Sequence, residues 1–366
     1  MLRYIIFFLL VLKLIFPLQI KAEINISGAL KNDSVFTILN KDTVFNNILE
    51  SKLVLSKKTE YWKFYSDFRC SVYQGESIKE LGEELNMPLA EEIIKPELLR
   101  ALIAYYTDYG DISLGKTYVN LGVSSIFNPF ELDTQLNPSD LTATKQGILA
   151  LVVDSNFGDL SGCKLYLSPE AKYSDIAIGL DFYTHIESSD IGVVLNHKDK
   201  NDNIAGIYFK GDMGLGVQGA YAYHFSDALE KQFFEANFGF DYSFLQGKLL
   251  INLLGYCNSY TSYKQSITLL TKESNIYSNI PSFLDEYYLY FNLNYVLDEF
   301  FNTRLDTFGN LRDHSVLLIL TNTWILANGL SAALQVSMAE GETGSEFSSG
   351  NLGGKYNFLV RVEAKL

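Results

Sequence analysis

The sequence has few cysteines, histidines and prolines, and each shortage excludes a class of protein. Three cysteines among 366 residues cannot build a disulfide framework. Four scattered histidines give no zinc-ligand spacing, so no metal or other cofactor is expected. Seven prolines beside 25 Phe and 24 Tyr exclude a disordered chain. Bases are also scarce: 29 Lys and Arg face 43 Asp and Glu, and the net charge of −14 argues against a nucleic-acid partner.

The first 22 residues have the form of a secretory signal. Arg3 provides a positive start, an apolar stretch runs from Tyr4 to about Ile20 with one break at Lys13, and Ala22 is a small residue suited to cleavage. An amino-terminal membrane anchor is the alternative interpretation. We expect cleavage after Ala22, which leaves residues 23–366 as a single mature domain.

Residues 23–366 contain no apolar run long enough for a membrane helix, but many segments alternate with a period of two. In 232–244 one face is apolar and the other is mostly polar. The apolar face consists of Phe234, Ala236, Phe238, Phe240, Tyr242 and Phe244, and the opposite face of Phe233, Glu235, Asn237, Gly239, Asp241 and Ser243. Successive side chains of a strand point to opposite faces, so this pattern predicts a two-sided sheet.

A soluble sandwich also alternates, but two features favour a membrane barrel. The clearest strands run 10–14 residues, long enough to cross lipid at a tilt, and Tyr and Phe recur near their ends. A sheet in hydrocarbon must close, because an open edge leaves backbone groups unpaired. The prediction is an all-β, transmembrane antiparallel β-barrel.

We predict about eighteen strands, with sixteen as the alternative count. The long connectors all follow odd-numbered strands, which is typical of bacterial barrels with short periplasmic turns and longer outer loops. These connectors are 32–45, 74–96, 120–143, 260–284 and 340–352. Helical spacing of Ile78, Leu81 and Leu85 predicts a helix within 76–95, inside one of the outer loops.

Two segments resemble bacterial outer-membrane proteins. The last strand places Tyr356, Phe358, Val360, Val362, Ala364 and Leu366 on one face, and so resembles their carboxy-terminal targeting strand, although Leu366 stands where Phe or Trp is usual. The resemblance implies a bacterial outer-membrane location and contact with the barrel-assembly machinery through this strand.

Residues 114–147 resemble a segment of uncharacterised porin-like outer-membrane proteins. The matching residues are Gly115-Lys116, Leu121-Gly122, Asn128-Pro129, Asp133, Asn137-Pro138, Asp140 and Gln146-Gly147. Lys116 replaces the commoner Arg of that pattern, and Leu121 replaces an aromatic residue. The resemblance implies an outer-membrane barrel and no particular substrate.

The connector 120–143 either folds into the lumen and narrows it or packs on the outer rim. If it folds inward, its acids Glu131, Asp133 and Asp140 would face Lys116, Arg69 or Arg361 and form a charged constriction. Acids on the inner face add to this set, and they either favour cations over anions or only solvate the wall. Those assigned as pore-lining are Asp181, Glu235 and Asp241.

The predicted function is a porin for passive diffusion of small polar solutes, in contact with outer-membrane lipid. A homo-oligomer is left open. One alternative is a non-conducting barrel for surface display or adhesion. The other is a lipid hydrolase in which His224 activates Ser226, two residues away on the polar face. Nothing else in the sequence indicates catalysis, so we expect no enzyme activity.

Overall fold

A computed structural model describes most of residues 24–365. The described residues are 24–39, 42–75, 92–122, 126–130, 147–169, 176–198, 202–226, 231–259, 285–342, 345–348 and 355–365. Eighteen β-strands and a 3₁₀ turn at Leu245–Gly247 lie in these ranges. None of the helices found there is long and apolar enough to span a membrane.

The strands are β1 (Asn25–Leu39), β2 (Asp42–Lys58), β3 (Trp62–Gly75), β4 (Glu92–Thr107), β5 (Gly110–Thr117), β6 (Ile148–Asn156), β7 (Ser161–Pro169), β8 (Ile176–Ile186), β9 (Ser189–Lys198), β10 (Asp202–Asp212), β11 (Gly216–Ser226), β12 (Lys231–Phe244), β13 (Leu249–Asn258), β14 (Tyr287–Val296), β15 (Phe301–Asn310), β16 (Ser315–Ala327), β17 (Leu330–Glu340) and β18 (Tyr356–Lys365).

The strands form one closed barrel. Each strand pairs antiparallel with its neighbours in sequence, and β1 pairs with both β2 and β18. The closing register places Asp33 of β1 opposite Arg361 of β18. Closure removes both sheet edges, so every strand has two hydrogen-bonded neighbours. The predicted all-β, eighteen-strand antiparallel barrel is confirmed.

The wall of the barrel has two chemically different faces. On β12 the side chains of Phe234, Phe238 and Phe240 point outward and remain 37–48% exposed. The intervening Glu235 and Asn237 point inward and are each only 7% exposed. The same alternation repeats around the barrel, because the register pairs outward residues with outward residues across each strand pair.

The connectors differ from the sequence prediction at two places. Residues 32–45 are not a long loop: β1 and β2 extend through them and leave only 40–41 between the strands. Val35 and Phe36 pair across this hairpin with Asn46 and Phe45, which extends the ladder to its tip. The predicted helix at 76–95 is wrong at its end, because 92–95 belong to β4; residues 76–91 lie outside the described ranges.

The remaining long connectors follow β3, β5, β13 and β17, so all of them lie at the same end of the barrel. We call this end the long-loop end and the opposite end the short-turn end. The expected signal at 1–22, the terminal Leu366 and the connector 260–284 lie outside the described residues.

The buried core lies inside the barrel, between its inner face and segments of two connectors. One cluster joins Leu121 and Phe130 of the 118–147 connector to side chains of β6–β11. A second cluster joins Phe127 of that connector and Phe347 of the 341–355 connector to side chains of β13–β16. The described parts of these connectors therefore pack against the inner wall.

Candidate functional site

Paired charges line the inner wall on β18 and β1–β4; we call this group the charged arc. Its members are Lys31, Asp33, Glu50, Lys52, Asp67, Arg69, Lys95, Glu97, Arg100 and Arg361. Arg69 donates from Nε and Nη2 to Glu97 Oε2 at 3.0 and 2.7 Å, and its Nη1 lies 3.6 Å from Glu50. Each charge has a partner of opposite sign, as partly buried charges require.

Arg361 joins the last strand to the first. Its Nε and Nη2 donate to Asp33 Oδ1 and Oδ2 at 2.6 and 2.7 Å, so the pair is bidentate. Both side chains are largely buried, at 16% and 7% exposure. Arg69 and Arg361, two of the residues predicted to line the passage, thus face inward within the charged arc.

This closing pair should stabilise the barrel. We expect Asp33→Asn to lower the free energy of unfolding by about 3 kcal/mol, because it leaves the Arg361 guanidinium buried without its carboxylate. Chemical denaturation of the protein folded in lipid vesicles measures the change. Glu363→Gln is the control: its partner Lys365 is 70% exposed, and such pairs contribute about 1 kcal/mol or less. Equal losses in the two variants would contradict the prediction.

Lys116 does not belong to the passage. It pairs with Ala101 and Leu149, both on the outer face, and it shares that face with Leu114. Its Nζ donates to the backbone carbonyl of Leu98 at 2.7 Å. The prediction that Lys116 faces the lumen is therefore wrong, because its position in the alternation puts its side chain outside.

The connector after β5 is anchored to the inner wall at Asp181. The Gly122 amide donates to Asp181 Oδ2 at 2.8 Å, and the Tyr208 hydroxyl donates to Asp181 Oδ1 at 2.9 Å. Gly122 has a positive φ of +69°, and a side chain there would overlap the Phe130 ring. Glycine is therefore required for this close approach.

A second anchor lies at Phe127. Its ring stacks on Tyr256 with centroids 4.9 Å apart, and its backbone carbonyl accepts a hydrogen bond from Asn237 Nδ2. Phe127 is 2% exposed. Between the anchors, Asn128 Oδ1 accepts from the Phe130 amide and its Nδ2 donates to the Leu121 carbonyl, which fixes the turn.

Asp181 and Glu235 both face inward, as predicted, but they hold other groups in place. They are 4% and 7% exposed. Tyr256 donates to Glu235 Oε2 at 2.8 Å, so this carboxylate supports the ring on which Phe127 stacks. The predicted connector acids Glu131, Asp133 and Asp140 lie outside the described residues.

His224 is also buried in this region. Its Nε2 lies 3.5 Å from Glu235 Oε1, and its ring stacks on Phe233 with centroids 4.3 Å apart. The side chain of Ser226 lies outside the described part of the structure. A lipid hydrolase needs its nucleophile and base at the lipid face. His224 is instead on the inner face under other side chains, which gives the hydrolase hypothesis no support.

A cavity of about 380 Å³ lies in the lumen between Ile126 and the short-turn end. Asp241, the remaining predicted residue, lines it together with Lys210 and Arg304. Four carboxamides also line it: Gln218, Asn252, Asn292 and Asn294. The sequence analysis missed these amides as site residues, although Asn292 and Asn294 alternate with the outward Phe291 and Leu293 and so share the inner face.

Comparison with known proteins identifies the fold. No protein-family model matches the chain, and the search of curated proteins finds no match. Among solved structures, the chain is similar to OccAB4 of Acinetobacter baumannii, with a TM-score of 0.62 and 10% identity over 94% of this chain and 99% of that one. It is also similar to the outer membrane protein OpdK of Pseudomonas aeruginosa, with a TM-score of 0.58 and 10% identity over 94% and 98% of the two chains.

The structure of OpdK with vanillate aligns with a TM-score of 0.56 at 9% identity, over 93% of this chain and 98% of that one. At such low identity these matches establish a shared architecture and do not carry over individual residues. The chain described here therefore has the closed β-barrel fold of the Occ proteins.

Proposed function

We propose that this chain is a porin of a bacterial outer membrane that lets small polar solutes diffuse through its lumen. The observation that carries the proposal is the two-faced wall of a closed eighteen-strand barrel, apolar outside and polar inside. Barrels of this size are wide enough to hold an aqueous passage. The similarity to an outer membrane protein of Pseudomonas aeruginosa supports the same location.

The connector after β5 narrows the passage in this proposal. Its support is the pair of anchors at Asp181 and Phe127, which hold described parts of the connector against the inner wall. Solutes then pass between this segment and the charged arc. A fixed segment in the lumen limits solute size, as constrictions in other channels do.

A preference for cations is a further part of the proposal. The acidic excess of the chain, −14 overall, supports it, whereas Asp241 shares its cavity with Lys210 and adds no net charge there. Asp181 is covered by other side chains, so its contribution to selectivity is a long-range field rather than direct contact.

The proposed environment follows from the same features. Outer-membrane lipid covers the outward aromatic and aliphatic side chains, and the signal at 1–22 directs export. The β18 strand, with Tyr356, Phe358 and Val360 on its outer face, is the segment proposed to contact the barrel-assembly machinery.

Conductance across a planar bilayer tests the proposal. The refolded protein should give stepwise, ohmic openings in KCl, and a salt gradient should give a reversal potential with the sign of cation preference. Asp241→Asn should move this potential towards zero by removing a charge from the cavity. A correctly folded barrel that stays silent would overturn the porin proposal and favour the display barrel.

A further inference from the structure

The cavity beneath Ile126 has a balanced set of charges. Lys210 contributes one positive charge and Asp241 one negative charge. The third charged residue, Arg304, is held by Asp306: its Nε lies 2.8 Å from Asp306 Oδ2, and its Nη2 donates to Oδ1 at 2.8 Å. The side chains around the cavity therefore sum to no net charge, and the cavity as a whole favours neither cations nor anions.

Neutral hydrogen-bonding groups dominate the rest of the polar lining. Gln218, Asn252, Asn292 and Asn294 each carry a donor and an acceptor in one side chain. The register places Asn252 directly opposite Asn292, and Asn294 follows two residues later on the same face. Three carboxamides thus form a continuous patch on β13 and β14.

Two of these amides have an unsatisfied acceptor. Among the described residues, Asn252 Oδ1 and Asn294 Oδ1 are buried and have no hydrogen-bond partner. Asn292, by contrast, uses its Nδ2 to donate to Asp306 Oδ1 at 2.8 Å. Unpaired buried acceptors are uncommon, and rotation of these side chains towards the cavity would let the hydroxyl groups of a ligand satisfy them.

Apolar side chains complete the cavity. Leu250 and Leu254 of β13 and Ile126 of the connector lie beside the amide patch. A ligand that fits must present hydroxyl groups on its edges and C–H groups on its faces. Sugar rings combine these features and carry no charge, and the cavity volume falls within the usual range for small ligands, about 300–1,000 Å³.

We propose that this cavity binds a neutral mono- or disaccharide during its passage through the barrel. The inference rests on the proposed porin function and adds the substrate class to it. The carboxamides of Asn252 and Asn294 accept hydrogen bonds from sugar hydroxyls, and the leucines pack against the ring.

Current block by glucose and maltose tests the inference. Each sugar should reduce the ion current in a saturable manner, whereas glycerol matched for viscosity should only scale the current with the bulk conductivity. Asn252→Leu and Asn294→Leu, which keep the side-chain size, should each raise the half-blocking concentration about tenfold. The control is Asn322→Leu, because Asn322 bonds Thr303 on the outer face of the barrel.

The outcomes separate the two proposals. Open channels that neither sugar blocks, or that only charged solutes such as lysine or glutamate block, would overturn the saccharide site and leave the porin intact. Calorimetric titration of the detergent-folded protein with maltose measures sugar binding independently of channel conductance. A silent barrel that still binds maltose through Asn252 would overturn the porin alone, and absence of binding would overturn the saccharide site.

Discussion

Replacing Phe127 by alanine should widen the passage. The Phe127 ring is 2% exposed and contacts Tyr256, Tyr288 and Tyr290, so it is the main apolar anchor of the inserted segment. Removing a buried aromatic ring costs about 3–5 kcal/mol of packing energy. The hydrogen bond that Asn237 donates to the backbone carbonyl of residue 127 remains, but it contributes only about 1 kcal/mol. The segment should then leave the wall for much of the time.

Single-channel recording measures the effect. We expect the conductance of Phe127→Ala to rise roughly twofold, with fast flicker as the segment moves in and out of the current path. The barrel should still fold, because the strand ladder is unchanged, but it should unfold at a lower denaturant concentration than the parent, since the lost ring packs on the inner wall.

Phe238→Ala is the matched control. Phe238 directly follows Asn237 on β12 but points outward and is 48% exposed, so the same chemical change occurs at the same height on the other face. Its conductance should equal that of the parent. Unchanged conductance in a well-folded Phe127→Ala barrel would refute the narrowing role of the connector.

The barrel could be predicted from the sequence because the pattern that indicates it, the alternation of apolar and polar side chains, repeats within each strand. Each strand alternates between lipid-facing and inward side chains, so Phe234, Glu235 and Phe238 already reveal their faces in the sequence. Closure and connector lengths then determine the strand count. The hairpin at 40–41 was missed because its flanking residues, including Asn32, Asp33, Asn46 and Asn47, are polar enough to imitate a loop.

The alternation of side chains along β5 predicts the outward face for Lys116. Ile112, Leu114 and Lys116 are spaced by two, so Lys116 had to share the outward face of its apolar neighbours. A positive charge does not by itself place a strand residue in the lumen. Periodicity is therefore the stronger guide than charge for a residue within a strand, since lysine can extend its ammonium group to a backbone carbonyl or to the interface.

The inserted connector could not be located from its sequence. Phe127 and Phe130 follow no period, and their burial depends on Tyr256 and Tyr208, which lie more than 70 residues away in the chain. The amide patch also depends on the register that sets Asn252 beside Asn292. Such contacts arise from long-range pairing, which a pattern along one segment does not contain.

Replacing Leu253 by arginine should strongly destabilise the barrel in lipid. Leu253 lies near the middle of β13, points outward and is 41% exposed, beside the outward Phe240 of β12. An arginine at the midplane of the lipid face costs about 2–4 kcal/mol, because the guanidinium must leave water or deform the bilayer. Equilibrium unfolding in phospholipid vesicles should show this loss, and assembly in cells should fall with it.

Asn252→Arg is the decisive comparison, because it places the same side chain one residue earlier and on the inner face. There the guanidinium meets water and the carboxylate of Asp241, which the register sets opposite position 252. Its stability should change by less than about 1 kcal/mol, whereas its reversal potential should shift towards anions. If the two arginines cost the same in vesicles, the two faces of this strand do not meet different solvents, and a lipid-spanning barrel with a wet lumen is excluded.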